Sequence, residues 1–318
     1  MKTQRDAFIS ALFDRAKEDK DICLISVDMG APSLDRWREE LPEQFFAAGI
    51  SEQNAINFAA GLSAAGKKPY VYFMACWAAR CFEQIRYSCA MANNPIVVLG
   101  NGIALGYAPA GPAHSATEDI AYMKSLCNIE IFSPTNSLMA EKLVDLTCDD
   151  FKLRYIRLER SYPEVLDNTY RQNEMNSDFF KKGMRLLRST GFEAPLCIIS
   201  NGYMLGRAID LYDRLVSEGL EVKVLDVYKT EEINREFFES YAAGSTTFIT
   251  LEEQTLSGGF GSSICEVLTD INFKFDKVIR FGLPSRYIFE NGSREHLLNT
   301  NGLSAENIFN RTLELLGD

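Results

Sequence analysis

Four short segments carry residues whose types and spacing could do chemistry. The first is Gly49-Ile50-Ser51-Glu52-Gln53-Asn54, which follows the pair Phe45-Phe46 and precedes Ala55, Ala59, Ala60, Gly61, Ala64 and Ala65. Small residues at helical spacing let a helix pack closely, so a carboxylate in its first turn is either a partner of the helix dipole or a buried functional acid. The second is residues 100–114, a Gly- and Pro-rich loop ending in His114, with Ser115-Ala116-Thr117-Glu118 after it. Ser-x-x-Glu is a capping-box pattern and predicts a helix starting just past His114. That histidine, one of two in the chain, would lie beyond the carboxyl end of a strand, where open α/β sheets place ligands. It reads equally as structural or catalytic. The third is Glu252-Glu253-Gln254-Thr255-Leu256-Ser257-Gly258-Gly259-Phe260-Gly261-Ser262, which is neither G-x-G-x-x-G nor a P-loop. It reads as a tight strand-to-helix connection capped by Ser262. The fourth is Arg157 and Arg160 in Tyr-Ile-Arg-Leu-Glu-Arg, placed either to clamp an anion or to sit solvated. Trp77, Arg80 and Phe82 form a further group, read as core aromatics or as a platform for a flat ring.

Something must hold these segments in place. Apolar runs at 22–27, 69–73, 95–99, 130–132 and 155–158 read as strands, with helical patterns at 54–65 and 82–91 between them. Residues 161–188 are polar and weakly periodic. A second alternating block follows: strands at 196–200, 222–227, 247–251 and 277–281, helices at 205–218 and 262–268. The expected architecture is α/β, two three-layer domains with mainly parallel sheets. Its divisions are a first domain over 1–165, a linker over 166–190 and a second domain over 191–318.

Composition narrows the functional classes. The 318 residues carry a net charge of −11, which disfavours nucleic acid or anionic lipid as the main partner. No run approaches the roughly 18 to 20 apolar residues of a membrane span, and the N-terminal segment mixes charges with Phe8, Leu12 and Phe13 at helical spacing, unlike a signal peptide. Eight scattered cysteines with no C-x-x-C read as buried, reduced thiols, and a cytoplasmic location is expected.

In order and spacing the segments resemble one family. Phe-Phe-x-x-Gly-Ile-Ser-Glu-Gln-Asn, Ala-Gly-Leu-Ser-Ala-Ala-Gly-Lys-Lys-Pro, Phe-Glu-Gln-Ile-Arg, Gly-Pro-Ala-His-Ser-Ala-Thr-Glu-Asp-Ile-Ala and Ser-Gly-Gly-Phe-Gly-Ser resemble the pyrimidine-binding and C-terminal domains of thiamin-diphosphate enzymes. The match is best with transketolases and 1-deoxyxylulose 5-phosphate synthases. The resemblance implies that Glu52 meets ring nitrogen N1′ of the aminopyrimidine, that Trp77 stacks on that ring with Arg80 and Phe82 close by, that His114 touches the substrate near the reacting carbons, and that Arg160 binds its phosphate. By the same resemblance the cofactor would serve as electron sink for a two-carbon ketol transfer between a ketose phosphate and an aldose.

No Gly-Asp-Gly is present, the segment with which the family holds the diphosphate and Mg²⁺. The resemblance therefore implies one subunit of a split transketolase, with an N-terminal partner chain supplying diphosphate and Mg²⁺ ligands in an α₂β₂ heterotetramer. The second domain is expected to be structural and to support dimerisation. A 2-oxo acid dehydrogenase beta subunit, a decarboxylating deoxyxylulose-type synthase and a silent regulatory subunit are the alternatives. Two departures bear on the substrate: Ala110 stands where transketolases carry Asp before Gly-Pro, and a second histidine is missing near Asn101-Gly102. Without that carboxylate a site is less selective for the hydroxyl it reads. Ala110→Asp is expected to reorder the preferred acceptor aldehydes, measured as relative kcat/KM, and an unchanged ranking contradicts the argument.

Overall fold

The computed structural model describes residues 2–160 and 174–317. Within them two sheets are each sandwiched between helices. The first is wholly parallel and is built from β1 (Ile22–Ser26), β2 (Phe45–Ala47), β3 (Lys68–Met74), β4 (Val97–Asn101), β5 (Glu130–Phe132) and β6 (Arg154–Leu158), in the order β2-β1-β3-β4-β6-β5. Alternation along β3 shows why helices are needed on both faces. Tyr70 and Tyr72 pack with Phe8 and Leu12 of α1 (Gln4–Glu18) and Leu143 of α6 (Ser137–Asp149). Val71 and Phe73 pack on the other face with Ala55, Ile56 and Ala59 of α3 (Glu52–Ala64) and with Ile85 and Cys89 of a π-helical stretch, Ile85–Met91. That stretch continues α4 (Phe82–Gln84).

The second sheet has the order β11-β10-β8-β9-β7, made of β7 (Met184–Ser189), β8 (Leu196–Ser200), β9 (Val222–Val227), β10 (Thr247–Thr255) and β11 (Lys277–Leu283). Only β7 runs antiparallel. One face is covered by α8 (Leu205–Ser217), α11 (Arg294–Thr300) and α12 (Ala305–Gly317), the other by α9 (Arg235–Ala242) and α10 (Phe260–Asp270). The expected two three-layer, mainly parallel domains are what the chain forms.

Local expectations fare unevenly. The start of the expected linker, like Met1 and Asp318, falls outside the described residues. From Asn176 onward that stretch is folded: α7 (Ser177–Lys182) is capped by the Asn176 side chain and ended by Gly183 in left-handed geometry, and β7 then joins the second sheet. Burial drives it, because Phe179 stacks on Tyr228 and Phe180 meets it edge-on. The helix expected directly after His114 is absent. Ser115 is extended, and α5 (Asp119–Met123) starts later without a side-chain cap. The Thr117 hydroxyl bonds Glu118 instead. All eight cysteines are unpaired, but Cys127 is exposed and Cys76 and Cys265 are half-buried.

The glycine-rich turn is a structural connection, although Ser262 does not cap it. Glu252, fully buried on β10, reaches forward to accept the Gly261 N–H at 2.9 Å at the head of α10. A Cβ at Gly261 would stand 2.7 Å from that carboxylate and 2.7 Å from Thr250 Oγ1, so the close approach requires glycine. Burial pushes the Glu252 carboxyl up to about 7, against the Gly261 N–H and Arg280. A carboxyl whose folded pKa is raised lends stability in full below its unfolded value of about 4.5 and loses it as pH climbs through about 7. Glu252→Gln keeps the acceptor and is neutral at every pH. Its thermal midpoint is expected to gain on the native protein at pH 8 but not at pH 4.5, and an equal difference at both contradicts this account.

Candidate active site

Parallel strands end on the same side, so the loops leaving β2, β3, β4 and β6 converge. This brings residues 52, 77, 80, 114 and 160 to one edge of the first sheet. Glu52 is the first residue of α3 and only 4% exposed. Its side chain is not left among neutral groups: Arg80 Nη1 donates to Oε2 at 2.9 Å. The Arg80 guanidinium also lies 4.7 Å from the centroid of Trp77, and Trp77 meets the His114 ring edge-on with centroids 5.7 Å apart. Carboxylate, guanidinium, indole and imidazole thus form an unbroken chain from α3, through the turn Ala75–Ala79, to the turn Pro112–His114. Phe82 lies to one side of it, half-buried against the core and edge-on to Tyr122 at 6.0 Å. Cys76 sits beside the group, its thiol pushed up to about 12 by burial.

The loop carrying His114 is closed on itself. Ala104 N–H donates to Ala116 O at 3.2 Å and Ala116 N–H returns to Ala104 O at 2.8 Å. Inside it, Tyr107 OH accepts from Asn101 Nδ2 at 2.8 Å, and the ring fills the space where a Cβ on Gly102 would be, 2.0 Å away. Gly102 also has φ of +73°. At Gly102, one of the two positions near which the resemblance would put a second histidine, Tyr107 therefore leaves no room for a side chain. His114 Nδ1 is buried without a hydrogen-bond partner among the described residues, and an orphaned buried polar atom at such a loop points toward a ligand. Ala110 lies exposed in the same loop.

The two candidate arginines part company. Arg160 is exposed at the end of β6, its guanidinium 4.5 Å from the centroid of Tyr107. Arg157 clamps no arriving anion. It is buried and forked onto Asp119, with Nε–Oδ2 2.8 Å and Nη2–Oδ1 3.1 Å, while Nη1 donates to Ser133 at 2.9 Å. Tyr155 OH donates to the same carboxylate at 2.9 Å. A buried charge must be paired, and Asp119 sits at the amino end of α5 where the helix also favours it. Nothing local in the sequence signals this pair, which spans 38 residues.

These residues fit an aminopyrimidine: a buried carboxyl at a helix amino end and an indole within one guanidinium's reach of it. Among the described residues no three His, Cys, Asp or Glu side chains cluster as a metal site, and no helix is long and apolar enough to cross a membrane.

Comparison with known proteins gives the same picture. Residues 1–163 match the transketolase pyrimidine-binding domain and residues 190–308 the transketolase C-terminal domain. One of the component chains of the apulose-4-phosphate transketolase of Phocaeicola vulgatus is 30% identical, with 98% of this chain and 97% of that protein covered. 1-Deoxy-D-xylulose-5-phosphate synthase 2 of Geobacter sulfurreducens is 28% identical, but the chain spans only 47% of its length. Among solved structures, one described as a split gene transketolase, inactive beta4 tetramer, superposes with a TM-score of 0.85 at 27% identity over 98% of this chain and 97% of its own. Transketolase of Campylobacter jejuni shares the fold with a TM-score of 0.80 at 16% identity, covering 98% of this chain and 46% of that one. Both domains match those of one group: the chain belongs to the transketolase family.

Proposed function

We propose that this chain is the pyrimidine-side subunit of a two-component transketolase, moving a two-carbon ketol unit from a ketose phosphate to an aldose with a separate chain completing the site. The observation that carries this reading is Glu52, a carboxyl buried at the first turn of α3 in contact with the Arg80 that also stacks on Trp77. The buried carboxyl is paired with a half-exposed guanidinium, a partner that a ring nitrogen set against it could replace. When bound, thiamin diphosphate supplies the electron sink that lets a carbon–carbon bond beside a carbonyl break and re-form.

This chain's own residues hold and orient. Glu52 sets its carboxyl toward the ring nitrogen, where the two can share a proton once the ring is bound, and Trp77 offers its face to the ring. Arg80, half exposed, has the freedom to leave Glu52 as the ring arrives. His114 presents an imidazole to the substrate's oxygens near the reacting carbons. Arg160, stacked on Tyr107, takes the phosphate.

End-to-end similarity to a protein named as one component of a transketolase, and to a split gene transketolase described as an inactive beta4 tetramer, supports a partner that brings the diphosphate and Mg²⁺ ligands. So does the surface beside Glu52. Asn57 of α3 and Ser88 of the neighbouring π-helix are bonded at 2.8 Å, and Phe58, Tyr87 and Met91 stand exposed on the same two helices, with Ile50 exposed just before Glu52. Large apolar side chains grouped in this way suit an interface with another chain. An α₂β₂ assembly and a cytoplasmic, carbohydrate-processing role follow the same reading.

The test is the complex purified from its own host in Mg²⁺ and thiamin diphosphate. Native mass spectrometry is expected to find a second chain and bound cofactor. Glu52→Gln is expected to leave assembly intact while lowering turnover at least ~100-fold, and undiminished turnover would end the assignment. Ketose phosphate is the expected donor; pyruvate consumption with release of CO₂ would favour the synthase type instead.

A further inference from the structure

Resting on that reading, we propose that Arg294 of the second domain is a positioning residue for the substrate site, one guanidinium fixing the strand end that bears Arg160 against the loop that bears His114. Arg294 opens α11 and is nearly buried. Its Nη1 donates to Glu159 Oε2 at 2.6 Å, and its Nε donates to Glu253 at 2.7 and 3.0 Å, with Nη2 on the same carboxylate. The guanidinium lies over Tyr203, 3.7 Å from the ring centroid, a contact that restrains its tilt.

Each carboxylate spends its remaining capacity on the site. Glu159 Oε1 accepts the backbone N–H of Arg160 at 2.9 Å. Glu253 Oε1 accepts the N–H of Leu105, inside the His114 loop, at 3.3 Å. The next two residues of β10 hold the returning limb of that loop: Gln254 Nε2 donates to Ala116 O at 3.1 Å and Thr255 N–H to Thr117 O at 3.0 Å. Three consecutive residues of the second domain therefore grip both limbs of the loop that bears His114, and Arg294 ties that grip to the Arg160 end of β6. Nothing local in the sequence signals these contacts, which link positions as distant as 159 and 294.

Two carboxylates on either side of one buried cation need a fork; a lysine ammonium keeps the charge but cannot hold both in one plane. Arg294→Lys therefore removes geometry while sparing charge. A shift between Arg160 and the loop affects substrates that use their phosphate for orientation and spares those without one. The experiment compares the native and Arg294→Lys subunits, each in the reconstituted holo-complex, on a ketose phosphate and the same ketose lacking phosphate, with cofactor half-saturation and thermal midpoint alongside. The native complex is expected to prefer the phosphorylated donor, and Arg294→Lys to raise KM for it about tenfold while KM for the other donor and cofactor half-saturation stay within about twofold. Glu159→Gln, which loosens the same fork from the other side, is expected to act in the same direction should the lysine variant not assemble. Equal losses on both donors, or an unchanged phosphate preference in an active complex, overturn the positioning role alone. An inactive native complex overturns the functional reading and this inference with it.

Discussion

A carboxylate removed from water must find a cation or several N–H donors within reach, and this requirement shapes both the loop edge of the first sheet and its junction with the second domain. Glu52 finds Arg80, Asp119 finds Arg157, Glu159 and Glu253 share Arg294, and Glu252 takes an N–H at the head of α10. Most of these pairings join elements far apart in the chain. Removing a partner from any of them would strand a buried charge, which is why loops so rich in glycine and proline are nonetheless fixed.

The pairings differ in what they leave available. Asp119 and Arg157 satisfy one another with Tyr155 and Ser133 and offer nothing to a ligand. Among the described residues Glu52 and Arg80 share one hydrogen bond, with Arg80 half exposed, and His114 close by has a buried nitrogen without a partner. A site that must admit a ring needs groups whose present bonds can be exchanged for others at little cost, and this cluster has them.

The second domain grips the first through the end of β10 and through strand pairing between Phe132 and Lys229. Side chains of the first domain, Leu105, Ala108 and Ile120, are built into the cores of the second. The two sheets share cores at their meeting edge, so the loop between them takes its shape from both. Its internal shape comes from Tyr107, whose ring forces glycine at 102 and carries Arg160 on its face.

The strands and their layers are legible in the chain itself, because runs such as 22–26, 196–200 and 222–227 are rich in apolar residues and buried on both faces. Glu52, Trp77, Arg80, Phe82, His114 and Arg160 stand out there as candidates too, since their order and spacing form recognisable words. Local signals failed where a neighbour in space competed. The Ser115–Glu118 capping pattern yielded to the Ala104–Ala116 pairing, Ser262 yielded to Glu252, and the polar stretch before Gly183 folded onto Tyr228. Which charges became partners was left to packing: Arg157 went to Asp119, Arg80 to Glu52, and Arg294 to two carboxylates at once. A buried ion pair is chosen by distance and desolvation once the chain has packed, and neither quantity is written in the spacing of residues along it.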